Sequence, residues 1–180
     1  MEDGTRVRSY YSGFRTEKFE ERTIIDKPGP TTRLIQFDGT VSAFDKDCAD
    51  CPAQYATSKE TPSQKWEKVT KTLSQLDTSK LHYVKVPENH IVIDFDIPDE
   101  NGNKCFDLNL AEASKWPPTY AEVSKGGQGI HLHYIYTGDP TKLSRIYDDH
   151  IEVKVFTGKS SLRRKLTKFN NLPIATISSG

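Results

Sequence analysis

The stretch His90-Ile-Val-Ile-Asp-Phe-Asp-Ile97 restricts the fold more than any other part of the chain. It is rich in β-branched residues and is stopped by Pro98, which reads as a strand. Side chains of a strand alternate between faces, so Ile91, Ile93, Phe95 and Ile97 share one side and His90, Val92, Asp94 and Asp96 the other. Two ionised carboxylates in such apolar company are costly unless a cation or a hydrogen-bond network compensates them. The same alternation recurs twice. In Ile130 to Tyr136, Ile130, Leu132, Tyr134 and Tyr136 face one way and His131 and His133 the other. In Ile151 to Phe156, Ile151, Val153 and Val155 oppose Glu152 and Lys154. Three strands of this kind predict a sheet with one face on a core and the other carrying acidic and imidazole groups. The bland readings are an edge strand with a solvated polar face, a His133 satisfied within the sheet, and a weak surface ion pair between Glu152 and Lys154.

Around these strands the pattern is mixed. Thr61-Pro62 reads as an N-cap with proline at the first helical position, and Trp66, Val69, Leu73 and Leu76 follow at amphipathic-helix spacing. A second helix is expected over Asp107 to Trp116, ended by Pro117-Pro118. Thr119 to Ser124 reads as extended, Lys125-Gly-Gly-Gln-Gly129 as a glycine turn and Ile130 to Tyr136 as a strand, the two arms forming a hairpin. A short helix over Pro140 to Tyr147 and a strand over Ile174 to Ile177 complete this part. Residues 1–60 read as loop-rich: Tyr10, Tyr11, Phe14 and Phe19 are scattered through a charged segment, and Ile24-Ile25 and Arg33 to Phe37 are short candidate strands around Lys27-Pro-Gly-Pro30. Without regular βα alternation the expectation is α+β with a largely antiparallel sheet. The chain reads as one domain over 1–180, with a core over 61–180.

Composition narrows the function classes. Lys+Arg and Asp+Glu number 25 each, a formal net charge of +0, so any nucleic-acid contact must be a local patch. At 34% hydrophobic residues and a mean hydropathy of -0.67, no run approaches the roughly 18 apolar residues of a membrane span, and no apolar signal-peptide core is seen. Three cysteines, an odd number, argue against a secreted disulfide scaffold, and a cytoplasmic protein is expected. Cys48-Ala-Asp-Cys51 has the spacing of half a zinc site; Cys105 with His82 or His90 would have to complete it, and two reduced thiols are the favoured reading. There is no G-x-x-x-x-G-K-[ST] phosphate loop.

Two segments add phosphate chemistry. In Ser124-Lys-Gly-Gly-Gln-Gly129, glycines free backbone N–H groups to face an anion, and His131 leaves the following strand on the polar side. Lys159 to Lys168 holds five basic residues, Lys159, Arg163, Arg164, Lys165 and Lys168, and no acidic one, a sequence-independent grip on phosphates unless it is merely a solvated loop.

Ile91-Val-Ile-Asp-Phe-Asp96, Ser124 to His131, and Ile151-Glu-Val153 together resemble the three ordered motifs of the archaeo-eukaryotic primase superfamily, and more narrowly the primase–polymerase domains of phages and plasmids. The resemblance covers about Ile91 to Phe156. It implies a catalytic core related to the RNA-recognition-motif sheet, joined to a smaller N-terminal α/β unit, with the active site in the cleft between them. It implies DNA priming or template-dependent polymerisation by a two-metal mechanism. Asp94, Asp96 and Glu152 would hold Mg²⁺ or Mn²⁺, while His131, Ser124, Lys125, Gly129 and Lys154 would serve the nucleotide. Lys159, Arg163, Arg164, Lys165 and Lys168 would hold nucleic acid. Gly129 departs from the family, in which many members have serine. The implied partners are a DNA template and primer, an NTP or dNTP, and a helicase, the chain being a fragment of a longer replication protein in the host cytoplasm.

Two competitors stand beside this reading. An acidic residue followed by Glu152-Val-Lys154 also fits the D…E-x-K pattern of metal-dependent nucleases, with Lys154 positioning the attacking water. A non-catalytic origin- or single-strand-binding module would need exposed aromatics to stack bases; Tyr134 and Tyr136 are available but fall on the expected core face.

Overall fold

The computed structural model describes residues 34–178. In chain order it contains helix α1 (Ala43–Asp47), strands β1 (Ala53–Tyr55), β2 (His82–Val84) and β3 (His90–Phe95), and helix α2 (Phe106–Ala113). Strands β4 (Ala121–Val123), β5 (Ile130–Tyr136), β6 (Ile146–Asp148), β7 (Ile151–Val155), β8 (Leu162–Arg164) and β9 (Ala175–Ile177) follow. The architecture is α+β with little helix. A large sheet runs β4-β5-β3-β7-β6 with antiparallel neighbours, and β9 pairs parallel to β5 beyond the end of β4. A small antiparallel sheet runs β1-β2-β8.

The period-two alternation sets the two faces of the large sheet. Ile91, Ile93 and Phe95 join Ile130, Leu132, Tyr134, Tyr136, Ile151, Val153 and Val155 in one core, which α2 closes with Ala113 and the following Trp116. The opposite face is also covered, though only in part. Val92 and Tyr120 pack there against Phe44 of α1, Val84 of β2 and Leu162 of β8. The small sheet and α1 thus lie over the half of this face that carries His90, Val92 and His133, and all three are buried.

A buried polar network stitches these layers together. Arg164 of β8 donates to Glu122 of β4 at 2.8 Å and pairs with Asp45 of α1 at 2.6 Å. Its guanidinium also donates to His82 Nε2 at 3.2 Å and sits 4.4 Å from the centre of the Phe44 ring. His82 Nδ1 in turn donates to the Lys80 carbonyl at 2.7 Å, which leaves this imidazole neutral. Glu122 further accepts from the Tyr120 hydroxyl, and His90 Nε2 meets His133 Nδ1 at 2.9 Å.

Several expected elements differ. Residues 61–76 form no amphipathic helix, only two single 3₁₀ turns, Trp66–Lys68 and Leu73–Gln75. The backbone there bonds to a neighbouring segment instead of to itself: Ala53 N–H donates to Lys71 O, and Leu73 N–H to Cys51 O. Thr61 does not cap a helix; its carbonyl accepts from Thr57 N–H and closes a loop. Of the four apolar residues at helical spacing only Leu73 is buried. Pro140 to Tyr147 is likewise a 3₁₀ turn, Pro140–Lys142, leading into β6. Residues 34–37 belong to no strand, and the readings on Ile24-Ile25 and on residues 1–22 lie outside the described residues. The small unit is not an N-terminal block, because β2 and β8 come from beyond residue 60.

Removing one member of a buried ion pair strands the others, so Arg164→Ala is expected to lower the unfolding free energy by about 3–5 kcal/mol in urea titrations. Burial also lowers the pKa of His82, of His90 strongly, and of His133. As pH falls through about 6.5, the unfolded chain takes up protons that the folded chain refuses. Stability is therefore complete above that pH and falls below it, by up to about 1.4 kcal/mol per pH unit for each histidine. Urea midpoints measured from pH 8 to pH 5 check this, and a flat profile contradicts it.

Candidate functional site

Strand register brings the polar residues of the sequence motifs into one row. Asp94 on β3 lies directly opposite His131 on β5 and Glu152 on β7, and His131 lies opposite Glu122 on β4. The row Glu122–His131–Asp94–Glu152 thus crosses four strands on one face. At its Glu122 end it enters the covered, buried part of that face; from Asp94 onward it opens to solvent. The Asp94 side chain is 17% exposed and that of Asp96 is 43% exposed, while Glu152 is exposed. The candidate site therefore sits where the cover provided by the small sheet gives out.

Asp94 is flanked by an imidazole and an ammonium group. His131 Nε2 lies 3.1 Å from Oδ1, and Lys154 Nζ 3.3 Å from Oδ2. Burial by itself raises the carboxyl pKa, but hydrogen bonding and charge from His131 and Lys154 outweigh it and hold the group at about 2. Asp96 pairs with Lys104 at 3.1 Å. Glu152 makes no ion pair among the described residues, although it stands across from a second carboxylate. Directly opposed like charges are unfavourable.

The glycine turn is held against this end of the sheet. Asn109 of α2 is fully buried, accepts from Ile97 N–H at 2.8 Å and donates to Gln128 O at 3.0 Å. One side chain thereby fixes both the exit of β3 beyond Asp96 and the tip of the hairpin. Ser124 closes the turn, its hydroxyl accepting from Gly129 N–H at 2.9 Å. A Cβ at Gly129 would lie 3.0 Å from the Phe95 carbonyl oxygen and 3.1 Å from that same hydroxyl, so the backbone here approaches too closely for a side chain to fit without displacement. Lys125 reaches Glu60 at 2.8 Å.

The sequence-derived residues separate into groups. Asp94, Glu152, His131 and Lys154 come together, with Asp96 one step further along β3. Ser124 and Gly129 form the turn itself. Lys159, Arg163, Lys165 and Lys168 are exposed. Arg164 is not available to phosphates: its side chain is 2% exposed and committed to Glu122 and Asp45, because on β8 it points opposite to Arg163, toward α1 and the large sheet. Tyr134 and Tyr136 are buried in the core, so they offer no stacking platform. His82 and His90, considered as partners of Cys48, Cys51 and Cys105, are bonded to Arg164 and His133 instead.

Glu122, Asn109 and Lys104 were not singled out in the sequence. Glu122 carried a usable signal: in Tyr120-Ala-Glu-Val123 it is a carboxylate within a short strand, to which the alternation argument applied to Asp94 applies equally. Asn109 and Lys104 carried none, since their roles depend on where a helix and a turn fall in space.

Among the described residues, no three His, Cys, Asp or Glu side chains are grouped so as to hold a metal ion. Mg²⁺ commonly takes only one or two protein carboxylates, together with substrate phosphates and waters. The hard oxygen donors Asp94, Asp96 and Glu152 suit it in kind. No helix among the described residues is long and apolar enough to cross a membrane. No family model, curated protein or solved structure matches this chain.

Loss of the Asn109 amide leaves the Ile97 N–H and the Gln128 carbonyl, both part-buried in these bonds, without their partner. Asn109→Ala is expected to cost about 1–3 kcal/mol of stability. Hydrogen exchange should quicken in residues 124–129 while the centre of β3 stays protected, and an unchanged turn would refute the bracing role.

Proposed function

We infer that this chain is a template-dependent nucleotidyltransferase of the primase–polymerase type. The observation that carries the reading is the row of Asp94, His131 and Glu152. Three separate strands deliver these groups to one face, in register, where the cover provided by the smaller sheet gives out. This arrangement supports the family fold implied by the sequence motifs.

Asp94, Asp96 and Glu152 are the residues that would hold Mg²⁺ or Mn²⁺, which when bound would neutralise charge on a nucleotide's phosphates. The protein's own groups do the rest. His131 and Lys154, already beside Asp94, are placed to donate to phosphoryl oxygens, where preorganised donors stabilise charge that builds up during transfer. The glycine turn, braced by Asn109, gives a phosphate chain access to backbone. The exposed Lys159, Lys165 and Lys168 provide a local electrostatic grip on a template that the neutral whole protein lacks.

One observation favours a second reading. Lys154 Nζ at 3.3 Å from Asp94 has the lysine–carboxylate proximity that a D…E-x-K nuclease uses to position water. The buried Tyr134 and Tyr136 weigh against a stacking-based single-strand-binding module.

The test is nucleotide incorporation on a primed DNA template with Mg²⁺ or Mn²⁺, with an unprimed lane beside it. Wild type is expected to extend the primer, and Asp94→Ala/Asp96→Ala to reduce extension at least about a hundredfold, the scale on which loss of an electrostatic catalytic group is felt. Product in the unprimed lane adds priming. Metal-dependent shortening of the DNA without incorporation transfers the assignment to the nuclease.

A further inference from the structure

Two cations from distant parts of the chain converge on one oxygen atom of the loop between β1 and β2. Lys125 Nζ lies 2.8 Å and Arg163 Nη1 3.4 Å from Glu60 Oε1. Lys125 belongs to the glycine turn of the large sheet and Arg163 to β8 of the small one, so Glu60 ties the two layers together. The pairing of Phe95 with Ile130 puts this turn at the end of β3 that carries Asp94 and Asp96.

The loop is built to present Glu60. Thr57 N–H donates to Thr61 O at 2.7 Å, Glu60 N–H donates to Thr57 O at 2.9 Å, and the two threonine hydroxyls meet at 2.8 Å. The Tyr83 hydroxyl donates to the Glu60 carbonyl. Glu60 is the one non-glycine residue with positive φ among the described residues, at 62°. A side-chain-bearing residue is held in that left-handed region only where its surroundings over-determine it, and such positions cluster at ligand clamps.

The contact is nevertheless a weak lock. Glu60, Lys125 and Arg163 are each about half exposed, and exposed ion pairs contribute little. A phosphate group offers more charge and more acceptor oxygens to an ammonium and a guanidinium than a carboxylate does. The turn has room for one as well. A Cβ at Gly126 would meet nothing within 4 Å, and Gly126 is not among the positive-φ glycines, so neither packing nor backbone conformation calls for glycine there. Bare backbone beside Lys125 is what a close-approaching anion needs.

We propose that Lys125, Arg163 and the adjoining glycine turn form a polyphosphate-binding position, and that Glu60 fills it with its own carboxylate until a polyphosphate displaces it. Equating that polyphosphate with the triphosphate of a nucleotide rests on the nucleotidyl-transfer reading; the competition between anions does not. Glu60 is then a built-in competitor, and its displacement releases Lys125 of the glycine turn from the loop between β1 and β2 as the ligand enters.

The probe is inorganic tripolyphosphate, titrated calorimetrically into the full chain at low ionic strength. Glu60→Gln and Glu60→Gly are expected to bind roughly two- to fivefold more tightly than wild type, the range set by one exposed ion pair. Glu60→Gly also relieves the left-handed strain, which keeps the test usable if the glutamine variant folds poorly. Glu112→Gln makes the same charge change on α2 and is expected to bind as wild type does. Lys125→Ala introduced into Glu60→Gln should abolish the gain. Equal affinity in wild type and both Glu60 variants overturns the proposal, as does an equal gain in Glu112→Gln or a gain that survives Lys125→Ala. If tripolyphosphate behaves as expected while primed templates are not extended, the anion position stands and the polymerase reading falls. If extension succeeds and the Glu60 variants gain nothing, this proposal falls and the polymerase reading stands.

Discussion

Arg164 is a guanidinium almost wholly removed from water, and the way its charge is answered governs how the two sheets can meet. Burying an isolated cation is prohibitively costly, so a fold that buries one must bring partners to it. Glu122 comes from the edge of the large sheet, Asp45 from α1 and His82 from β2, with the Phe44 ring beneath. Each partner belongs to a different element, and satisfying all of them at once fixes the position of α1 and the small sheet over the large one. Apolar contacts of Val84, Leu162, Val92 and Tyr120 supply most of the attraction between the layers. The polar cluster supplies the register, since a shifted packing would leave a charge without its partner.

That register decides where the candidate site lies. One polar row begins with Glu122, sealed under the cover, and ends with Glu152, in solvent. Between them His131 and Asp94 occupy the transition, buried enough to interact strongly and open enough to meet a ligand. The same face of one sheet thus serves two purposes, structural cement at one end and candidate chemistry at the other. Asn109 performs a comparable service from the far side of the sheet, reaching past the edge of the core to hold the hairpin tip beside the last residues of β3.

Much of the large sheet was legible in the sequence because period two is a strong local signal. Ile91, Ile93, Phe95, Ile130, Leu132, Tyr134, Ile151, Val153 and Val155 all lie on the side the alternation assigned them. The same alternation placed Asp94, His131 and Glu152 on one face, although their alignment into a row required the pairing register, which no single strand encodes. Periodicity misled at Trp66 to Leu76. Spacings of three and four arose there by coincidence in a segment whose backbone bonds to residues 51–53 rather than to itself. Composition misled at Arg164, because a run of basic residues looks solvated until strand alternation turns one member inward. The cover over His90 and Val92 was missed for a related reason: the small sheet is assembled from three short strands of three residues each, too brief to show a pattern.

The interleaved origin of the small sheet has a consequence for synthesis. Asp45, His82 and Glu122 all precede Arg164 in the chain, Glu122 by 42 residues and His82 by 82. As the polypeptide leaves the ribosome, β1 and β2 can pair and the β4–β5 hairpin can close, yet the cation that neutralises their acidic partners has not been made. The carboxylates must stay hydrated and the two layers apart until β8 emerges. Pairing across such separations carries a large loop-closure cost and is slow. Assembly of the two layers is therefore a late, nearly all-or-none event in the life of each new molecule, governed by the arrival of one arginine.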